Sequence, residues 1–358
     1  MIAHEKKLLL TSKLFSPSFD KWVVVGAFNP AAVRLPNKKI MLYVRVAESF
    51  PKGKVMSCPV ISSPEHFITI NENIPVDKIR EVSHGVLHLH SGECRLTSMS
   101  HFRPVILNKD GMSVDEVIDK PAFTGTAKEG HYGVEDPRIV KIGNLYYMTY
   151  VTISTHDGVC ANLAVSKDLK KWKREGIIFS EQNKDVVLFP NKIKGKFVAL
   201  HRPEGFFEFS KPSIWISYSP DIIYWGKERS IIQPRKRTWE CDRVGAGAPP
   251  IKTSKGWLEI YHGVKTKGDR RVYSAGAVLF DLKNPEKIIA RSPPNQPLLK
   301  PNRKWEKNGF VNDVIFPTGA VLDLNKKDLL IYSGGSDSVT SVTKVALKDV
   351  FKQMVKVK

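Results

Sequence analysis

The chain is short of the features that mark several common protein classes. No run of eighteen or more apolar residues occurs, so no membrane-spanning helix is expected. The N-terminus, MIAHEKKLLLTSKLF, has only a three-leucine apolar core and no small-residue cleavage site, a pattern unlike a secretory signal. This leads to the expectation of a cytoplasmic protein. Cysteines are few and far apart (Cys58, Cys94, Cys160, Cys241), with no CxxC or Cys/His ligand spacing. They read as reduced, mostly buried thiols, and neither a disulfide framework nor a bound metal is expected. No P-loop or dinucleotide fingerprint is present, so nothing calls for a nucleotide cofactor. Helical periodicity is scarce: VDKIREV (76–82) and DVFKQMVKV (349–357) are the best candidates, and both are short.

Acidic residues are also in deficit. Lys and Arg number 56 against 36 Asp and Glu, a formal net charge of +20 over 358 residues. The lysines are scattered through nearly every loop, as in LKKWKRE and NKIKGK. No basic block interleaved with aromatics occurs, so a solvated surface explains the excess better than nucleic-acid binding. Such a charge does favour small anions such as phosphate or sugar phosphates.

What is present is a repeat. FNPAAVRLPNKKIMLYVRV (from Phe28), VEDPRIVKIGNLYYMTYV (from Val134), LFPNKIKGKFVALHRP (from Leu188), GAPPIKTSKGWLEIYHGV (from Gly247) and IFPTGAVLDLNKKDLLIYSGGSD (from Ile315) share one form. Each has a Pro, an apolar strand, a polar turn and a second strand rich in aromatic and β-branched residues. Further strands are expected over 161–176, 213–229 and 273–291. The first two carry a Ser-x-Asp turn followed by a Trp, as the outer half of a four-stranded unit would. The pattern predicts an all-β fold, a five-bladed β-propeller with a central active-site pocket. Residues 1–358 are read as a single domain, with ~20 N-terminal and ~15 C-terminal residues as extensions.

In such a fold the polar residues heading each inner strand converge at one mouth: Asn29, Asp136, Lys184 and the Asp242–Arg243 pair. Glu135-Asp136-Pro137-Arg138 alone reads as a charged turn, since Asp before Pro commonly starts one. Its position in a repeat makes Asp136 a candidate general acid toward a glycosidic oxygen. Lys184, Arg202, Arg243 and His262 each stand at a strand end in a different repeat and together suit a tetrahedral oxyanion. Tyr273 and the GAGAPP turn add hydroxyl and backbone contacts. Arg45 and Asp337 end second strands and suit sugar hydroxyls; an exposed ion pair is the competing reading. Among the tryptophans, Trp172 and Trp225 read as packing, and Trp239 as a candidate wall for a sugar.

The segments FNPAAV, YVRV, GVEDPRIVKI, LFPNKIKGKFVALHRP, YSPDIIYWG, RVGAGAPPIKTSKGWLEIYHGV, YSAGAVLFDL and GFVNDVIFPTGAV resemble, in that order, glycoside hydrolase family 130, the β-mannoside phosphorylases. The resemblance runs from about residue 26 to 340 and implies a five-bladed propeller. It implies inverting attack of inorganic phosphate, as co-substrate and with no cofactor, on a β-mannoside to give α-mannose 1-phosphate. It further implies Asp136 as proton donor, acting through a hydroxyl of the bound mannose. Lys184, Arg202, Arg243, His262 and Tyr273 fall on phosphate positions; Asn29, Arg45, Glu135, Arg138 and Asp337 fall with the substrate-binding set. Members that hydrolyse carry glutamates where phosphate-holding basic residues stand. Arg202 and Arg243 therefore favour phosphorolysis, while nearby Glu204 and Glu240 keep hydrolysis as the alternative. The position aligned with Lys184 is an arginine in the mannosyl-glucose branch, and VEDPR is more similar to members acting on β-1,2-linked mannose, so β-1,2-mannobiose or β-1,2-oligomannan is expected. Nucleotide-sugar-dependent β-mannosyl transfer and a non-enzymatic glycan-binding propeller are the remaining readings. Expected partners are a small mannoside and phosphate, with no nucleic acid and no membrane; a homo-oligomer is compatible with all of this.

Overall fold

The computed structural model describes residues 4–50, 56–205 and 209–357. Five sheets of four or more strands follow one another along the chain. The first orders its strands Val23–Arg34, Ile40–Ser49, Ser98–Leu107 and Val114–Val117. The second runs Val134–Ile142, Leu145–Ser154, Gly158–Ser166 and Lys173–Phe179, and the third Asn183–Leu188, Phe197–Pro203, Ile214–Ser219 and Gly226–Ile232. The fourth runs Arg243–Ala246, Gly256–Lys267, Arg270–Phe280 and Ile288–Arg291, with short additions. The fifth runs Ile315–Leu322, Asp328–Gly335 and Val339–Ala346, and its outer strand is His4–Leu10 from the other end of the chain. All these pairings are antiparallel.

The inner strands are buried on both faces, and period 2 deals their residues to two different cores. Ile139 faces the core shared with the first sheet, and Val140 faces the core shared with the third. Val186 and Leu188 pack toward the second sheet, and Val187 toward the fourth. Separate cores join the fourth sheet to the fifth through Ile260, Leu279, Ile315 and Ile331, and the fifth back to the first through Tyr332, Val342, Leu42 and Val44. The cores thus run in chain order and the last returns to the first, an all-β, propeller-like arrangement.

The Ser-x-Asp turns behave as their chemistry requires. Asp168 Oδ1 accepts from the backbone N–H of Lys170 and Lys171, and Asp221 Oδ1 from those of Ile223 and Tyr224. The tryptophan after each turn packs inward: Trp172 donates to the Tyr43 hydroxyl and Trp225 to the Ile222 carbonyl.

Two expectations change. The stretch 76–82 is a 3-10 turn (Val76–Lys78) followed by a strand (Ile79–Ser83), because β-branched residues and pairing with Val86–Leu89 override its short helical pattern. The C-terminal stretch is helical only over Leu347–Gln353, and Val355–Lys356 adds a strand to the fourth sheet. His4–Leu10 and Val355–Lys356, near the two ends of the chain, are both paired into sheets. Between the second and third strands of the first sheet, the chain makes two small ladders around Cys58, Ile74, Leu87 and Leu89, a feature without a counterpart in the repeats. The four cysteines are free, Cys58 and Cys160 buried. Among the described residues, no helix is long and apolar enough to cross a membrane.

Candidate active site

The innermost strands of the first three sheets share a defect. Their register slips between Phe28 and Ala31, between Glu135 and Arg138, and between Lys184 and Val187. At each slip one residue sits in the left-handed region: Asn29 (φ 47°), Asp136 (φ 50°) and Asp185 (φ 57°). Asn and Asp are the side-chain-bearing residues that best tolerate this conformation. A bulge there re-aims the side chain out of the sheet alternation, as bulges beside active sites commonly do. Polar groups are thereby directed to one place from three separate sheets.

Around Asp136 they meet closely. Its Oδ1 accepts from Asn29 Nδ2 at 2.8 Å and from Arg45 Nη1 at 3.0 Å. Arg45 also donates to Glu135 Oε1 (2.5 Å) and Ser100 Oγ (2.9 Å), and rests on the Phe28 ring at 4.8 Å. Lys184 Nζ lies 3.8 Å from the other Glu135 oxygen. Gly334 must be glycine here, because a Cβ would collide with Asn29 Oδ1.

A second cluster adjoins the first through Arg138. This buried guanidinium donates to the Asp136 carbonyl (2.9 Å), to Asp185 Oδ1 (2.9 Å) and to the Gly247 carbonyl (3.2 Å). Asp185 also pairs with Arg202 Nη1 at 2.9 Å, and Arg202 Nη1 donates to His262 Nε2 at 3.2 Å. Arg202 Nη2 reaches Glu204 Oε1 at 2.7 Å, and Arg243 Nη1 reaches the same oxygen at 3.3 Å. The His262 ring packs on Phe316 (4.4 Å) and lies 6.3 Å from that of Tyr273. A Cβ on Gly245 would strike both Asp185 and His262, so the GAG turn permits this close approach.

The electrostatics divide by position. Burial pushes the Asp136 carboxyl up, but Arg45, Arg138, the Asn29 hydrogen bond and Lys184 outweigh it and hold it below the ordinary carboxylate value. Asp185 follows the same logic: burial opposes ionisation, yet Arg202, His262 and Arg138 bring it to about 2. His262 is pushed down to about 3, first by burial and then by Arg202 and Arg138 against Asp185, so it stays a neutral acceptor. Asp337 goes the other way, to about 6, through desolvation and the nearby Asp136 and Glu135 charges working against Arg45.

All the expected site residues fall in or beside these two clusters, but the surroundings are less basic than foreseen. Arg45, Arg138, Lys184, Arg202 and Arg243 each face a carboxylate. Asp185 and Ser100 went unnoticed in the sequence; Asp185 stands at the offset of Asn29 and Asp136, one residue after Lys184, and that alignment was the available signal. Trp239, expected as a sugar wall, donates to the Pro293 carbonyl and packs 5.7 Å from the Tyr261 ring, inside the fourth sheet's packing. Glu240 is fully buried between Arg235 and Arg291. A surface recess of about 600 Å³ lies elsewhere, against Lys6, Arg303 and Lys344.

Residues 108–356 match the family model for glycoside hydrolase family 130, described as β-1,4-mannooligosaccharide phosphorylase. The chain belongs to glycoside hydrolase family 130. Within that family it is 33% identical to a β-1,2-mannobiose phosphorylase of Listeria innocua over 98% of this chain and 97% of the relative. It is 42% identical to a 1,2-β-oligomannan phosphorylase of a Thermoanaerobacter species over 68% of this chain and 78% of the relative. The solved Listeria innocua β-1,2-mannobiose phosphorylase, in complex with β-1,2-mannobiose, superposes with a TM-score of 0.87 at 31% identity, covering 96% of each chain.

Proposed function

We propose that this family 130 enzyme is a phosphorylase of β-1,2-linked mannosides, mannobiose or oligomannan, and that its five sheets are the blades of a five-bladed propeller with the two clusters at its central mouth. Phosphate attacks the anomeric carbon from the face opposite the leaving sugar. The C1–O bond to that sugar breaks, a C1–O bond to phosphate forms with inversion, and the departing oxygen takes up a proton. The products are α-mannose 1-phosphate and the shortened mannoside. No cofactor enters the reaction. The linkage rests on the β-1,2-active relatives at 33% and 42% identity.

The observation that carries the reading is the junction itself. One carboxyl, Asp136, is fixed by Asn29 and Arg45, and Arg138 joins its backbone to a cluster presenting Arg202 and Arg243. An acid beside a group of anion-binding arginines supports this reading, because phosphorolysis needs both whereas hydrolysis needs no anion site. Asn29 Oδ1, Arg202 Nε and His262 Nδ1 are buried without a hydrogen-bond partner among the described residues, the condition of a site whose ligands complete it.

Arg45, Arg138, the Asn29 hydrogen bond and Lys184 hold the Asp136 carboxyl below the ordinary carboxylate value, against its burial. An arriving phosphate supplies negative charge beside Lys184 and Arg202, which offsets their pull and raises the Asp136 carboxyl toward protonation. Proton donation is thereby tied to the presence of the nucleophile. The sugar meets Asn29, Arg45, Glu135 and Asp337; phosphate meets Lys184, Arg202, Arg243, His262 and Tyr273. Incubating the protein with β-1,2-, β-1,3- and β-1,4-mannobiose, with and without phosphate, tests the reading. Mannose 1-phosphate should form from the β-1,2 isomer only when phosphate is present. Equal sugar release without phosphate would replace this reading with that of a mannosidase.

A further inference from the structure

Glu204 is an odd occupant for an anion site. Its backbone N–H donates to the Gln182 carbonyl at 2.9 Å, which fixes the residue at the end of the strand Phe197–Pro203. Its Oε1 meets Arg202 Nη2 at 2.7 Å and Arg243 Nη1 at 3.3 Å. Arg202 has no freedom to turn away: its Nη1 is held by Asp185 and His262, and its side chain is only 6% exposed. Glu204 and Arg243, at 23% and 24%, form the open rim of the cluster. The two guanidinium edges that an incoming anion would use therefore already share a carboxylate oxygen.

We infer that Glu204 is a specificity-determining residue that makes this site take an oxyanion still carrying a proton, hydrogenphosphate, and reject fully ionised sulfate. The inference rests on the phosphate reading above. A carboxylate is an acceptor only, so an anion seated between Arg202 and Arg243 and against Glu204 must bring an O–H of its own. Hydrogenphosphate has one and donates it to Glu204, while its other oxygens accept from the two arginines. Hydrogenarsenate has the same donor. Sulfate at neutral pH has none, and faces the carboxylate oxygen with lone pairs only. Arginines alone would not separate these anions, since both are tetrahedral dianions of similar size. The carboxylate supplies the repulsive element, and Asp185, buried behind Arg202, keeps the arginine in place while the anion binds.

The test is calorimetric titration of phosphate, arsenate and sulfate into the wild-type protein and into E204Q, E204D and R202A. Wild type should bind phosphate and arsenate comparably, and sulfate at least ~10-fold more weakly, because a carboxylate facing sulfate leaves acceptors opposed and unpaired. E204Q, which can donate through its amide, should gain roughly 10-fold for sulfate and lose several-fold for phosphate, so that the preference collapses. E204D, keeping an acceptor, should retain a preference for phosphate. An unchanged sulfate-to-phosphate ratio in E204Q, or wild-type sulfate binding as tight as phosphate, overturns the inference while leaving the phosphate site standing. If wild type binds none of the three anions, or R202A binds phosphate normally, the phosphate reading itself is wrong and the inference falls with it.

Discussion

Two carboxylates in this molecule each stand between two arginines, and their surroundings give them opposite meanings. Glu240 lies between Arg235 and Arg291, accepts from the Tyr261 hydroxyl at 2.6 Å, and is fully buried. Glu204 lies between Arg202 and Arg243 at a partly exposed rim. The first network is closed: both glutamate oxygens are engaged, and Arg291 is held as well by Tyr261. The second is open, with its rim residues facing solvent. Glu240, itself fully buried, therefore serves the architecture of the fourth sheet, whereas the Glu204 carboxylate is partly exposed and exchangeable. Proximity in sequence to Arg243 suggested a shared role for Glu240 in the chemistry; burial assigns it a different one.

Mutations can break this contrast, and the largest effect belongs to neither arginine pair but to Asp136. D136N should lower kcat on β-1,2-mannobiose by ~10³-fold, within the range general-acid removal produces, with phosphate affinity largely retained. A variant with near-normal turnover would remove Asp136 from the mechanism. Next, E240A strands Arg291 in the interior and should cost ~3–5 kcal/mol in denaturant unfolding, as breaking a buried pair does, without a specific change in phosphate dependence. If E240A were stable but lost phosphate dependence, the closed and open labels would have to be exchanged. R243A should act the other way, raising the KM for phosphate ~10- to 100-fold through loss of a charge-assisted contact, with little change in unfolding.

The smallest effect concerns support beneath the junction. Glu259 Oε1 accepts from the Gly247 N–H at 2.8 Å, and the carbonyl of Gly247 holds Arg138. Burial, with the Asp185 charge against the Gly247 hydrogen bond, raises this carboxyl to about 8. Between its ordinary value near 4.5 and about 8, the folded state thus binds a proton that the unfolded state has released. Stability conferred by that proton falls as pH rises through this window. E259Q, neutral and isosteric, should flatten the Tm-against-pH curve between pH 5 and 8; an unchanged slope would show that Glu259 does not titrate there.

The sequence showed the repeat because period-2 alternation and Pro/Gly punctuation are local signals, and five sheets follow from them. It placed Asn29, Asp136, Arg202, Arg243 and His262 near one another because a repeat brings equivalent strand ends together. It did not show Asp185, whose apolar neighbours look like ordinary strand and whose role depends on a bulge visible only in the pairing register. Nor did it show that every site cation already faces a carboxylate, since the partners of Arg45, Arg138, Lys184 and Arg243 come from a neighbouring sheet. The two small ladders between residues 56 and 96 interrupt the first repeat, so the third strand of that sheet was not apparent from spacing.

The account turns on one product. ³¹P NMR of the protein incubated with β-1,2-mannobiose and inorganic phosphate should show α-mannose 1-phosphate accumulating in step with free mannose, and none with phosphate omitted. Release of mannose with the phosphate resonance unchanged, or formation of the β-anomer, would contradict inverting phosphorolysis at the Asp136–Arg202–Arg243 junction.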